Sequence, residues 1–162
     1  MLSMLSYHFA SEIPAAPPKS PEEAITPAPR YPTLAGKRVV IVEDEGLTQM
    51  QLRRILKNAG MHVAASAVNG PEGVEAARRE SPDLVLMDIT MPGGFDGLEA
   101  ARRILAERRL CLVMLTAYTE YQEEAMRLGA RGYIVKPILT ETLLPSLETT
   151  LRSFYDESRS SA

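Results

Sequence analysis

Four places in this sequence set reactive side chains directly after short apolar runs: Glu43-Asp44-Glu45 after RVVIV, Asp88 after DLVLM, Thr116-Ala117 after LCLVML, and Lys136-Pro137 after GYIV. An apolar run of this length bounded by polar residues reads as a buried strand, so each reactive group ends a strand. At neighbouring strand ends, Glu43, Asp44 and Asp88 would crowd their carboxylates into one pocket. Two such charges about 4 Å apart repel by about 4 kcal/mol at an effective dielectric near 20. A structural purpose alone would not repeat that cost. An oxygen-rich, net negative pocket selects a divalent cation such as Mg2+, whose octahedral shell keeps several waters and admits phosphate oxygens.

Each residue taken singly has a plainer explanation. Glu43-Asp44-Glu45 also suits an acidic helix start, favoured by the helix dipole. Thr116 also suits a strand-end hydroxyl, and Tyr133 an ordinary half-buried aromatic. His62 reads as a strand residue and His8 lies in an N-terminal arm. The methionines read as core gap-fillers. Cys111, with no second cysteine in the chain, reads as a small buried hydrophobe.

The elements that must bring these groups together follow from periodicity. Apolar runs at 38–42, 62–68, 83–87, 110–115 and 132–135 alternate with stretches of helical spacing. Those stretches carry Leu47, Met50, Leu52, Ile55 and Leu56; Val74 and Ala77; Leu98, Ala101, Ile104 and Leu105; Ala125, Met126 and Leu128; and Leu143, Leu144, Leu147 and Leu151. Pro145 falls in the first turn of the last one, where a missing N–H is tolerated. Continuous rather than alternating apolar strands require cover on both faces, and strict alternation of strand and helix requires parallel crossovers. The expectation is an α/β chain with a five-stranded, parallel, doubly wound, flavodoxin-like sheet. In such a sheet, ligands bind beyond the carboxyl ends of the strands, where the reactive residues stand.

These motifs resemble the receiver domains of two-component response regulators. The resemblance covers about residues 36–155 and is spelled VVIVEDE, DLVLMDITMPGG with DG after Phe95, VMLTAY and GARGYIVKP. It implies the strand order 2-1-3-4-5. It implies that Glu43 and Asp44 hold Mg2+ together with Asp88 and the backbone carbonyl of Thr90, and that Asp88 is the phosphoacceptor. It further implies that Thr116 and Lys136 contact the phosphoryl oxygens, and that the Lys136-Pro137 bond is cis. Thr116, Ala117, Tyr133 and Pro137 match the switch positions, where movement of the threonine makes room for the aromatic ring. Phosphoryl transfer suits such a set, because it needs an aligned nucleophile and positive charge more than acid–base chemistry. The segment Met91-Pro92-Gly93-Gly94-Phe95-Asp96-Gly97 is one residue longer than the usual family spelling.

The resemblance implies a phosphoprotein that is a switch, not an enzyme in the usual sense. It implies a histidine kinase or histidine phosphotransfer protein as donor, and output through contact with another protein as a monomer or a phosphorylation-dependent dimer. A phosphate sink remains an alternative. A haloacid-dehalogenase-type hydrolase would want a second aspartate where Thr90 stands, and an FMN carrier would want hydroxyls and bare amides where Glu43 and Asp44 stand. A net charge of −3 gives no overall field for a nucleic-acid backbone. No apolar segment approaches a membrane span and the first residues lack a secretory pattern, so a cytoplasmic location is expected. Residues 1–35, rich in Pro and Ala, are expected to form a disordered arm, 36–155 the folded domain and 156–162 a short polar tail.

Overall fold

The computed structural model describes residues 28–162. Ten elements alternate: β1 (Arg38–Val42), α1 (Gly46–Asn58), β2 (His62–Ala67), α2 (Gly70–Glu80), β3 (Leu84–Met87), α3 (Gly97–Glu107), β4 (Cys111–Thr116), α4 (Gln122–Leu128), β5 (Gly132–Val135) and α5 (Thr140–Ser160). The strands pair in parallel in the order β2-β1-β3-β4-β5, the doubly wound arrangement expected. The strands begin and end within a residue of the apolar runs that announced them. No helix among the described residues is long and apolar enough to cross a membrane.

Side-chain alternation along the central strands makes two cores from one sheet. Val39 and Ile41, Leu84 and Leu86, and Cys111, Val113 and Leu115 pack with Leu52, Leu56, Leu143, Leu147 and Leu151 of α1 and α5. Val40, Val42, Val85, Met87, Leu112 and Met114 pack with residues of α2, α3 and α4 such as Val74, Leu98, Ile104 and Ala125. The two faces are thus dry and the polar strand ends emerge together at one rim. Burial pushes the Cys111 thiol up to about 12, which keeps it an unreactive core group.

Three expectations are corrected. Leu47 and Met50 do not join the buried stripe of α1: they are 74% and 67% exposed, whereas Leu52, Ile55 and Leu56 are buried. At 100° per residue, positions 47 and 50 fall on the far side of the helix from 52, 55 and 56. Met50 and Met126 are therefore surface residues, although Met61, Met87, Met91 and Met114 do fill the cores. The folded body also begins before Gly36 and continues past Tyr155, since α5 runs unbroken to Ser160. The part of the expected arm over 1–27 lies outside the described residues.

The early start has a definite cause. Leu34 is fully buried against the α1 and α5 side of the sheet, and Tyr31 packs beside it. The Glu148 carboxylate on α5, itself buried, accepts from the Thr33 N–H at 3.1 and 3.0 Å, the Thr33 hydroxyl at 2.6 Å, the Leu34 N–H at 3.2 Å and Arg152 Nη2 at 3.0 Å. Burial raises the Glu148 carboxyl, but these donors outweigh it and hold the group below the ordinary carboxylate range. A carboxyl depressed in the fold stabilises fully above its unfolded value, near 4.3, and the contribution disappears as pH falls through the lower folded value. Glu148→Gln is expected to lower unfolding free energy by about 2 kcal/mol at neutral pH. Urea titrations should show the gap between variant and wild type closing in acid; a gap that persists there would contradict the charge-assisted clasp.

Candidate metal and phosphoryl site

Strand register carries the reactive residues to one rim. β1 lies between β2 and β3, so the residue after Val42 and the residue after Met87 emerge side by side, and the Asp88 N–H donates to the Val42 carbonyl at 2.9 Å. Beyond β3 come β4, ending in Thr116, and β5, followed by Lys136, whose N–H donates to the Thr116 carbonyl at 2.8 Å. The sheet's own ladder thereby spaces a carboxylate pair, a third carboxylate, a hydroxyl and an ammonium along one edge.

Glu43, Asp44 and Asp88 each offer a carboxylate oxygen within 4.8 Å of the others. Glu43 and Asp88 are buried, 1% and 5% exposed, while Asp44 faces solvent. Lys136 Nζ reaches over both buried acids, 2.7 Å from Glu43 Oε2 and 3.3 Å from Asp88 Oδ2. Two backbone donors add to the cradle: Glu45 N–H to Glu43 Oε1 at 3.0 Å and Thr90 N–H to Asp88 Oδ1 at 3.2 Å. Burial raises the carboxyl of Asp88, against the charge and hydrogen bond of Lys136 and the Thr90 N–H, with the nearby Asp44 charge adding to the rise. Burial likewise raises Glu43, opposed chiefly by its bond from Lys136. Burial pulls Lys136 down, but the Glu43 hydrogen bond and the Asp88 and Glu43 charges prevail and its ammonium is held above its ordinary value. One ammonium therefore falls short of compensating the buried acids, and a further cation on oxygen ligands would complete the balance.

The acidic triplet divides between two purposes. Glu45 occupies the N-cap position of α1, and its carboxylate takes the Thr48 hydroxyl. Glu43 and Asp44 belong to the carboxylate cluster. Thr116 is fully buried at the end of β4, with its Oγ1 3.4 Å from the Tyr118 N–H, and the next residue, Ala117, is exposed. Tyr133 on β5 is half-buried, and its hydroxyl donates to the Tyr118 carbonyl at 2.6 Å, which ties the strand to the loop after Thr116. The Lys136-Pro137 peptide is cis. The long loop before α3 is organised by Phe95, half-buried in the second core with the Arg103 guanidinium 4.4 Å above its ring.

Sequence patterns did not point to the glutamines of α1. Gln49 Nε2 donates to the Glu43 and Ala67 carbonyls at 3.1 and 3.3 Å, and Gln51 Nε2 to the Ile138 carbonyl at 3.2 Å. A surface glutamine carries no periodicity or motif, so only the fold reveals its partners.

Residues 39–148 match the response regulator receiver domain family. The transcriptional regulatory protein PdtaR of Mycobacterium tuberculosis is 39% identical over 120 residues, 73% of this chain but 58% of that protein. The chain thus spans little more than half the length of that relative. The chemotaxis protein CheY of Bacillus subtilis is 35% identical over 116 residues, covering 70% of this chain and 97% of the relative. Among solved structures, the CheX–CheY complex with BeF3 and Mg2+ from Borrelia burgdorferi is similar in fold, with a TM-score of 0.68 and 27% identity, covering 75% of this chain and 94% of that one.

Proposed function

The chain belongs to the response regulator receiver domain family, and on that premise we propose that it is a signalling switch which accepts a phosphoryl group on Asp88 in a Mg2+-dependent reaction. The observation that carries this reading is the meeting of the Glu43, Asp44 and Asp88 carboxylates within 4.8 Å under the ammonium of Lys136. The donor set suits the ion: it is all oxygen, net negative and partly open on the Asp44 side. Glu43, Asp44 and Asp88, with the carbonyl of Thr90, would hold it. Bound there, Mg2+ supplies positive charge against the oxygens of an incoming phosphoryl group.

The chain's own residues do the rest. Asp88 Oδ2 is the nucleophile: its oxygen forms a bond to phosphorus while the bond from phosphorus to the donor atom breaks, and the donor leaves with that electron pair. The product is an acyl phosphate. Lys136, already 3.3 Å from that oxygen, turns from the carboxylate to the new phosphoryl oxygens, and the buried Thr116 hydroxyl offers them a donor. Movement of Thr116 is felt by Tyr133 through the Tyr118 backbone, which the Tyr133 hydroxyl holds. The switch then works as a local charge event that biases a two-state aromatic element. The phosphoryl donor is a histidine kinase or histidine phosphotransfer protein, and the output is a protein contact.

The test is chemical. With an acyl-phosphate donor and Mg2+, the wild-type chain should gain one phosphoryl group, and Asp88→Asn, of nearly the same shape, should gain none. Chelation of Mg2+ should stop labelling of the wild type. Labelling that survives in Asp88→Asn would place the acceptor elsewhere and defeat the assignment.

A further inference from the structure

The acids and the ammonium of the site sit on different parts of the chain, Glu43 at the end of β1 and Lys136 after β5, two strands lying on opposite sides of β3 and β4. The sheet alone spaces them through a run of intervening strands. Helix α1 bonds to backbone near each of them, at Glu43 itself and at Ile138, two residues past Lys136. Gln49 Nε2 reaches the Glu43 and Ala67 carbonyls at 3.1 and 3.3 Å, and Gln51 Nε2 reaches the Ile138 carbonyl at 3.2 Å. Two residues along a helix turn through about 200°, so the two amides leave the helix on nearly opposite sides. One grips the strand end that carries Glu43, and the other grips the loop that follows the ammonium-bearing Lys136.

The Ile138 side chain packs into the first core, but the loop backbone has few other hydrogen bonds. Lys136 N–H donates to the Thr116 carbonyl, Pro137 has no N–H, and the Leu139 carbonyl turns toward the start of α5, to the N–H groups of Thr142 and Leu143. The Ile138 carbonyl is taken by Gln51, two residues beyond Lys136. We infer that Gln49 and Gln51 are positioning residues, which use α1 as a spacer to set the reach of the Lys136 ammonium over Glu43 and Asp88. This inference rests on the phosphoacceptor reading of Asp88. Neither glutamine touches the reacting atoms; both act through the backbone that carries those that do.

Gln51 is the one to test, because it lies on the exposed side of α1 and its replacement spares the core. Gln51→Leu keeps the bulk and removes the donor, while Gln51→Lys restores a donor of similar reach. With acyl-phosphate donor at saturating Mg2+, Gln51→Leu should accept the phosphoryl group about tenfold more slowly, as a small misplacement of a positioned group does. Gln51→Lys should recover most of that rate, and both variants should keep the wild-type melting temperature. In the metal-free protein, the Lys136 and Leu139 amide resonances should shift in Gln51→Leu and return toward wild type in Gln51→Lys. Wild-type rates and unmoved resonances in Gln51→Leu would overturn the inference. So would equal slowing in the two variants, or a loss of stability with no change in rate. Failure of the wild-type chain itself to accept a phosphoryl group would instead overturn the reading of Asp88.

Discussion

Gly97→Ala is expected to destabilise the protein by about 3 kcal/mol, the upper end of what overpacking does, and to slow phosphorylation of Asp88 by about a hundredfold. A Cβ on Gly97 would stand 1.9 Å from the Asp88 carbonyl oxygen and 2.7 Å from the Ile89 Cα. Both obstacles are backbone, so no rotamer relieves the clash. The Gly97 N–H also donates to the Ile89 carbonyl at 2.9 Å, so α3 cannot withdraw without breaking that bond and moving the end of β3. The peptide displaced is the one that aims Asp88. Urea unfolding gives the stability and acyl-phosphate labelling the rate. Gly94→Ala serves as control, because a Cβ there meets nothing within 4 Å; its cost should stay within about 0.5 kcal/mol. Equal midpoints for the two variants would show that α3 does not press on β3 as described.

Removal of the ammonium is the second large effect. Lys136→Met leaves Glu43 Oε2 and Asp88 Oδ2, whose side chains are 1% and 6% exposed, without the cation that now lies 2.7 and 3.3 Å away. Breaking a buried ion pair costs about 3–5 kcal/mol, but Lys136 is itself about a fifth exposed and water can follow it in, so about 2 kcal/mol is expected without metal. Excess Mg2+ should raise the melting temperature of Lys136→Met more than that of the wild type, because an ion that binds only the folded form stabilises it and meets less positive charge in the variant. On the proposed role of Lys136 as a donor to the phosphoryl oxygens, phosphoryl acceptance should fall sharply even so. Calorimetry in chelator and in Mg2+ measures both parts. Equal stabilisation of the two proteins by Mg2+ would mean that ion and ammonium do not share one pocket.

These effects differ in how far the sequence foreshadows them. Asp88, Glu43, Asp44, Thr116 and Lys136 were legible because each ends an apolar run, and parallel crossovers bring such ends to one rim whatever the loops do. The two cores were legible as well, since runs such as Leu84-Val85-Leu86-Met87 have no polar side and require cover on both faces. Gly97 read only as part of a motif; that its missing side chain makes room for the Asp88 carbonyl is a fact of how α3 meets β3.

Side-chain type and spacing therefore determined the alternation of elements, a parallel doubly wound sheet and which polar residues stand at its rim, because hydrophobic periodicity is a local property of the chain. Tertiary structure decided which face of α1 turns to the sheet and so leaves Leu47 and Met50 uncovered, the mooring of Leu34 by Glu148 across 114 positions, and the grip of Gln51 on Ile138 across 87. A hydrogen bond between distant residues leaves no period to read. Its partners are named only when packing has already put them a few ångströms apart.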